Sequence, residues 1–141
     1  MTAKELMTPN PACCTMDTPL AEVARMMVQC DCGEIPVVES QNVKRIVGVV
    51  TDRDIVVRGV APGKDCATLN VGSVMSSPAI TVKDRDGLDE VVRVMETNKI
   101  RRVPVVNQGG EICGIVAQAD IARTGSRKET GDLVREVSAP R

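Results

Sequence analysis

The stretch IVGVVTDRDI, residues 46–55, returns further along the chain as ICGIVAQADI, residues 112–121. The glycine and the last aspartate recur, whereas Thr51 of the first copy is replaced by Ala117 in the second. The segments that precede these stretches, beginning at Met7 and Met75, align in the same way. The 141-residue chain is therefore predicted to contain one unit twice, each too small to bury both faces of its own sheet.

The hydrophobic pattern predicts the same order of elements in both copies. Apolar residues at i, i+3, i+4 and i+7 predict an amphipathic helix in each copy. We expect the first helix to start at Thr18 and Pro19, and the second at Asp86. The apolar positions are Leu20, Val23, Ala24 and Met27 in the first copy, and Leu88, Val91, Val92 and Met95 in the second.

Short Val- and Ile-rich runs predict a pair of strands after each helix. They are IPVVE with RIVGVVT, and VPVVN with EICGIVA, and a further helix follows each pair. The fold class is thus α/β (α+β): two β-α-β-β-α repeats, related by a pseudo-twofold axis and packed into one module. We place the repeats at 4–60 and 74–124, with a linker at 61–73 and a tail at 125–141. The tail should hold a short helix from Thr130, with Leu133, Val134 and Val137 as its apolar face.

Composition excludes several classes of protein. The formal net charge is −1, so no global field favours nucleic acid or an anionic membrane. Phe, Tyr and Trp are absent, which removes the side chains that stack on unpaired bases. No apolar run suggests a signal peptide or a membrane span, so we expect a cytoplasmic protein that binds neither nucleic acid nor membrane.

The turn between the strand and the helix at Thr51 is the candidate ligand-binding site. Helix starts present free backbone N–H groups and a partial positive charge, so this turn is a candidate anion site. Asp54 could accept hydrogen bonds from a diol, and Thr51 could donate one to a phosphate oxygen. Thr-x-x-Asp is also a helix-capping pattern, which needs no ligand. In the second copy Asp120 remains although the capping hydroxyl is gone, so reciprocal capping alone does not explain both acids.

The motif hPVh followed by GhhT-x-x-D, duplicated in one chain, resembles a tandem CBS domain pair, or Bateman module. The resemblance covers about Lys4 to Arg123 in two full copies, as in stand-alone bacterial two-CBS proteins. The family includes the kinase-regulating gamma subunits and the regulatory modules of IMP dehydrogenases. It binds AMP, ADP, ATP, and sometimes NAD or S-adenosylmethionine, in clefts between the two repeats. The resemblance therefore implies a regulatory adenosine-nucleotide sensor with no obligatory cofactor.

The resemblance assigns residues to a first cleft, which should prefer charged nucleotides. Arg101 and Arg102 would face the phosphates, where guanidinium groups bind bidentately, although they could instead be a solvated strand edge. By the same resemblance, Asp54 would bind the ribose and Thr51 a phosphate. Ile80 and Val103 would flank the adenine.

The second cleft departs from the family pattern. Ala117 cannot donate to a phosphate, and Glu34 stands where the first cleft has Arg102, so this cleft should be weaker or empty, or suited to a ligand whose phosphates point elsewhere. By the resemblance, Asp120 would bind the ribose, and Cys13 and Ile35 would lie beside the base. The backbone of Gly33 and Glu34 would contact the edge of the base. Gln118, from the AQAD turn, is also among the binding residues.

Two other classes of function compete with the sensor. A metal or redox site could use Cys13-Cys14 and Cys30-x-Cys32, but without His or paired C-x-x-C motifs no metal ligands are predicted. Catalysis by Ser-His or Cys-His pairs is excluded by the absence of His, so we predict no enzyme.

A third alternative is a structural dimerisation scaffold with degenerate clefts. The family commonly forms disc-like homodimers, and a homodimer is expected here. The apolar faces assigned to it are those around Met26, Met27, Val94 and Met95. A regulated partner would be a separate protein, which the sequence does not identify.

Overall fold

The computed structural model describes residues 1–124 and 127–139, with the side chains of 127–129 excepted. The part of the predicted tail formed by residues 125, 126, 140 and 141 lies outside them. The elements are α1 (Ala3–Leu6), β1 (Thr8–Pro9), α2 (Leu20–Cys30), β2 (Glu34–Val38), β3 (Ile46–Thr51), α3 (Asp52–Ile55), a π-helical turn (Val56–Val60), a 3₁₀ turn (Val71–Ser73), β4 (Val82–Lys83), α4 (Leu88–Asn98), β5 (Arg102–Val106), β6 (Ile112–Ala117), α5 (Gln118–Ala122) and α6 (Arg127–Ser138). The predicted α/β class is confirmed.

The two amphipathic helices α2 and α4 occupy equivalent places, and each buries most of the predicted apolar stripe. The exceptions are Ala24, which is exposed, and Leu88, which is partly buried. Their predicted start signals are wrong, because the capping positions are Pro19 and Gly87 and neither gives a side-chain cap. Thr18 accepts a hydrogen bond from the N–H of Thr15 at 3.0 Å, and Asp86 accepts one from the N–H of Lys83 at 2.8 Å. Both side chains therefore stabilise the loop before the helix rather than its first turn.

The paired strands have the same register in both copies. Glu34 of β2 lies opposite Thr51 of β3, and Arg102 of β5 lies opposite Ala117 of β6. Each antiparallel pair has one irregularity near its far end. One sheet has four strands in the order β1-β6-β5-β4, of which β1 comes from the first repeat and the other three from the second. The strands β2 and β3 of the first repeat form a two-stranded sheet. The duplication thus places the two strand-to-helix turns at equivalent positions.

The chain divides into two compact units whose extents differ from those of the sequence repeats. Unit A is residues 12–79, and unit B is residues 1–11 together with the described chain from residue 80 onward. The first segment of each repeat thus belongs to the unit that holds the strand pair of the other repeat. Glycine allows this packing, because a Cβ at Gly114 would overlap the side chain of Met7. A Cβ at Gly48 would overlap Met75 and lie 2.5 Å from the carbonyl oxygen of Ser76. The glycine of each repeat is therefore packed against the first segment of the other repeat.

Each unit has its own aliphatic core. Met95 is fully buried in unit B and Met27 nearly so in unit A, so these two residues belong to the cores and not to a dimer face. In α6, Leu133 and Val137 join the core of unit B, whereas Val134 is 45% exposed. The predicted tail helix is present, but Val134 was wrongly assigned to its apolar face. Within the described residues, no helix is long and apolar enough to cross a membrane.

Candidate functional site

In unit A, the turn from β3 into α3 is closed by a reciprocal capping box. The N–H of Asp54 donates to Oγ1 of Thr51, and the N–H of Thr51 donates to Oδ2 of Asp54, both at 3.0 Å. The backbone of Thr51 is extended, with φ −113° and ψ 161°, as an N-cap requires. The capping interpretation is therefore confirmed for this copy. Because the hydroxyl of Thr51 accepts in the box, its own hydrogen remains able to donate.

Asp54 is largely buried although aspartate is a charged residue, with only 12% of its side chain exposed. The hydroxyl of Ser76 donates to its two oxygens, at 3.0 Å to Oδ1 and 3.2 Å to Oδ2. Nη1 of Arg58 lies 3.9 Å from Oδ1. Sequence reasoning missed Ser76, because it is 22 residues from Asp54 and only the packing of its segment along β3 brings it there.

The backbone N–H groups at the start of α3 are already paired. The N–H of Asp52 donates to the carbonyl of Gly33 at 2.9 Å, and that of Arg53 to Oδ1 of Asp52 at 2.8 Å. The prediction of free N–H groups at this turn is thus wrong. Gly33 has a steric role as well, since a Cβ there would lie 2.8 Å from Oδ2 of Asp52.

The equivalent turn of unit B keeps half of the capping box. The N–H of Ala117 donates to Oδ2 of Asp120 at 2.7 Å, and Oδ1 of Asp120 forms an ion pair with Arg123. The N–H of Gln118 donates to the carbonyl of Arg101 at 3.1 Å, as Asp52 does to Gly33 in unit A. Asp120 is 6% exposed. Because an acid can satisfy the N-cap N–H without a hydroxyl, capping accounts for more of the repeated aspartate than the sequence suggested.

The other predicted binding residues are distributed over both units. Unit A contains Cys13, Gly33, Glu34, Ile35, Thr51 and Asp54, and unit B contains Ile80, Arg101, Arg102, Val103, Gln118 and Asp120. The side chains of Ile35 and Val103 are buried at equivalent places one residue before the strand prolines, whereas Ile80 is 40% exposed. The side-chain nitrogen of Gln118 is buried without a hydrogen bond among the described residues. Within each unit, the strand pairing places the turn beside the residues before the strand proline, with Glu34 opposite Thr51 and Arg102 opposite Ala117.

The cysteines of the described chain are all free thiols. Burial raises the pKa of Cys14 to about 12, with a smaller contribution from Cys13, and burial also raises the pKa values of Cys13 and Cys113. Without a bound metal these thiols therefore stay protonated near neutral pH. Among the residues that the structure describes, no three Cys, Asp or Glu side chains cluster as a metal site would need.

The geometry defines a class of protein: a duplicated α/β module in which each copy carries a buried aspartate in the first turn of the helix that follows its strand pair. The family model described as CBS domain matches residues 3–60 and 71–126. The chain thus belongs to the CBS domain family and carries two CBS domains.

Relatives of similar length support this assignment. The chain is 32% identical over 139 residues to hypoxic response protein 1 of Mycobacterium tuberculosis, covering 99% of this chain and 95% of that protein. It is 35% identical over 136 residues to the CBS domain-containing protein YhcV of Bacillus subtilis, covering 96% and 94%.

Solved structures share the fold. Hypoxic Response Protein I, whose crystal structure has two coordinated zinc ions, matches with a TM-score of 0.79 and 34% identity, over 87% of this chain and 98% of that one. CBSX2 of Arabidopsis thaliana in complex with AMP matches with a TM-score of 0.75 and 26% identity, over 88% and 95%.

Proposed function

We propose that this protein is a non-catalytic regulatory module that binds an adenosine-containing ligand, namely AMP, ADP, ATP or NAD, at its two strand-to-helix turns. The observation that carries the proposal is the pair of largely buried carboxylates, Asp54 and Asp120, at equivalent turns. The AMP complex of CBSX2, a relative with the same fold, supports this choice of ligand class.

Asp54 and Asp120 would accept hydrogen bonds from the ribose hydroxyls. An ionised carboxylate offers about four lone-pair sites. In unit A the N–H of Thr51 and the hydroxyl of Ser76 occupy part of this capacity, which leaves room for a diol. Thr51 would donate its free hydroxyl hydrogen to a phosphate oxygen, and Arg101 and Arg102 would supply positive charge to the phosphates.

The two turns would differ in affinity for charged nucleotides. Ala117 has no hydroxyl to donate, and a ligand hydroxyl at Asp120 would have to share the carboxylate with Arg123. We therefore assign the stronger binding to the turn with Thr51 and Asp54. The remaining predicted residues, Cys13, Gly33, Glu34, Ile35, Ile80, Val103 and Gln118, are proposed to complete the two sites.

Signalling would follow from differential binding. A ligand that binds one conformation of the module better than another shifts the population toward it, and a separate cytoplasmic protein would read that conformation. We also propose a homodimer. Val56, Val57 and Val60 on the π-helical turn, each about half exposed, offer it an apolar surface in place of the buried methionines.

Absorbance gives a direct test, because a chain without Trp or Tyr absorbs almost nothing near 260–280 nm. Freshly purified protein should show an adenine band, and mass spectrometry of the denatured filtrate should identify the nucleotide. If the protein is purified empty, added AMP, ATP or NAD should raise its melting temperature. A flat spectrum together with no thermal shift would refute the sensor function and favour a scaffold.

Variants test the inequality of the turns. Asp54→Asn should reduce the thermal shift given by AMP or ATP more than Asp120→Asn does. Asp52→Asn is the matched control, because it removes the same charge from an exposed side chain of the same helical turn. Equal losses from the two buried aspartates would contradict the inequality and leave nucleotide binding itself intact.

A further inference from the structure

Unit A contains an open cavity of about 450 Å³ that none of the predicted nucleotide-binding residues lines. Its polar wall is Arg58, Ser76 and Ser77, and its apolar wall includes Met16, Val47 and Pro78. The volume lies within the range of pockets that hold small organic ligands. The single charged side chain on its wall is that of Arg58.

Arg58 is held in place by one of its three nitrogens. Nη1 donates to the carbonyl oxygens of Met75 at 2.6 Å and Val74 at 3.0 Å, and lies 3.4 Å from Oγ of Ser76. Nε and Nη2 make no hydrogen bond with the described residues, and the side chain is 49% exposed. A guanidinium has five N–H donors, so three remain available in a fixed orientation.

The apolar wall is also accessible. The side chain of Met16, which lines it, belongs to a residue that is 52% exposed. Methionine adapts its shape to irregular ligands. The cavity thus combines a pre-positioned cation with an accessible apolar surface.

We propose that this cavity binds a small organic oxyanion, whose carboxylate or phosphate head pairs with Arg58 and whose apolar body lies against Met16, Val47 and Pro78. Guanidinium groups bind both kinds of head bidentately. The hydroxyl hydrogens of Ser76 and Ser77 are used by Asp54 and by the carbonyl of Val47. Arg58 is therefore the side-chain donor on this wall that the oxyanion head would meet.

The proposed oxyanion site is next to the nucleotide site but is lined by different residues from those predicted to bind the nucleotide. Val47 lies near the start of β3, whereas Thr51 ends that strand. Arg58 would bind the oxyanion while its Nη1 stays 3.9 Å from Oδ1 of Asp54. The two sites are therefore neighbours on either side of Arg58 and Asp54. Failure of either proposal leaves the other standing, because their probes and variants differ.

Backbone amide NMR of the full chain, titrated with phenyl phosphate and with benzoate up to about 10 mM, tests the proposal. We expect saturable shifts of the amides of Ser76 and Ser77. Arg58→Gln should weaken binding about tenfold or more. Arg25→Gln, which removes the same charge from an exposed position of α2, should leave binding unchanged. The probe that binds more tightly identifies the head group.

A second variant covers the case in which loss of Arg58 unfolds the segment that it holds. Met16→Ala keeps every hydrogen bond of Arg58, and should weaken phenyl phosphate while leaving the binding of inorganic phosphate unchanged. The proposal is overturned if neither probe gives saturable shifts at Ser76 and Ser77, if Arg58→Gln folds and binds as Arg25→Gln does, or if Met16→Ala has no effect on phenyl phosphate.

Discussion

Substitution of Ala117 by threonine should complete the capping box that unit B lacks. The backbone at Ala117, φ −111° and ψ 165°, nearly matches that at Thr51, φ −113° and ψ 161°. In unit A the threonine Oγ1 accepts from the N–H of Asp54 at 3.0 Å, whereas the corresponding N–H in unit B has no side-chain cap. A threonine at 117 can therefore adopt the same rotamer and accept from the N–H of Asp120.

The expected gain follows from the value of one N-cap hydrogen bond. Replacing Thr by Ala at such a position typically costs about 1 kcal/mol, so the reverse change should raise the free energy of unfolding by about that amount. For a chain of this size, this corresponds to a rise of roughly 3–4 °C in melting temperature. The change should also restore a phosphate donor at this turn and increase the thermal shift that ATP gives.

Ala117→Val is the control, because valine has the shape of threonine without its hydroxyl. The difference in stability between the threonine and valine variants, from reversible denaturant or thermal unfolding, isolates the hydrogen bond from the added volume. Thr51→Ala should lose about what Ala117→Thr gains. Equal stability of the threonine and valine variants would show that the two turns are not equivalent helix starts and would refute the reasoning.

Three further perturbations test the packing and the buried thiol. Gly114→Ala should cost about 1–3 kcal/mol, because its Cβ would overlap the methionine side chain packed there, whereas Gly109→Ala, where the nearest atom is 3.5 Å away, should be nearly neutral in chemical denaturation. Leu133→Ala should cost about 2–5 kcal/mol and Val134→Ala less than about 0.5 kcal/mol, so equal losses would contradict the packing of α6. The raised pKa of Cys14 means that its stabilisation is complete below the ordinary thiol pKa and is lost as pH rises toward about 12. Relative to Cys14→Ala, the wild-type protein should therefore lose about 1.4 kcal/mol per pH unit in that interval, and parallel pH profiles would disprove the shift.

Much of the fold could be predicted because it depends on local patterns in the sequence. The helical stripes at Leu20 and Leu88 and the strands around the two prolines recur in both copies, and the structure places them as expected. The helix starts could not be predicted as well, because Thr18 and Asp86 are capping residue types whose hydrogen bonds go to loop amides instead. A residue type indicates a capability, while the loop geometry determines which amide it meets.

The candidate site was predicted only in part. Asp54 and Asp120 were found through the repeat, but Ser76 was not, because no periodicity relates it to the turn. Arg58 was also missed, although it follows Asp54 by four residues, a helical spacing that could have indicated the pair. The role of the helix methionines could not be predicted either, because an apolar stripe can face a partner subunit or the core of its own unit. Only the packing shows that Met95 is fully buried in the core.

The sequence by itself determined the duplication, the element types, the α/β class and the inequality of Thr51 and Ala117, because these depend on local patterns and on the identity of single side chains. Tertiary structure alone decided that the first segment of each repeat packs in the unit that holds the strand pair of the other repeat, and that Ser76 meets Asp54. The reason is physical: the close approach of Met7 to Gly114, and the contacts that satisfy a buried carboxylate, join residues far apart in the chain, and no local pattern specifies such contacts.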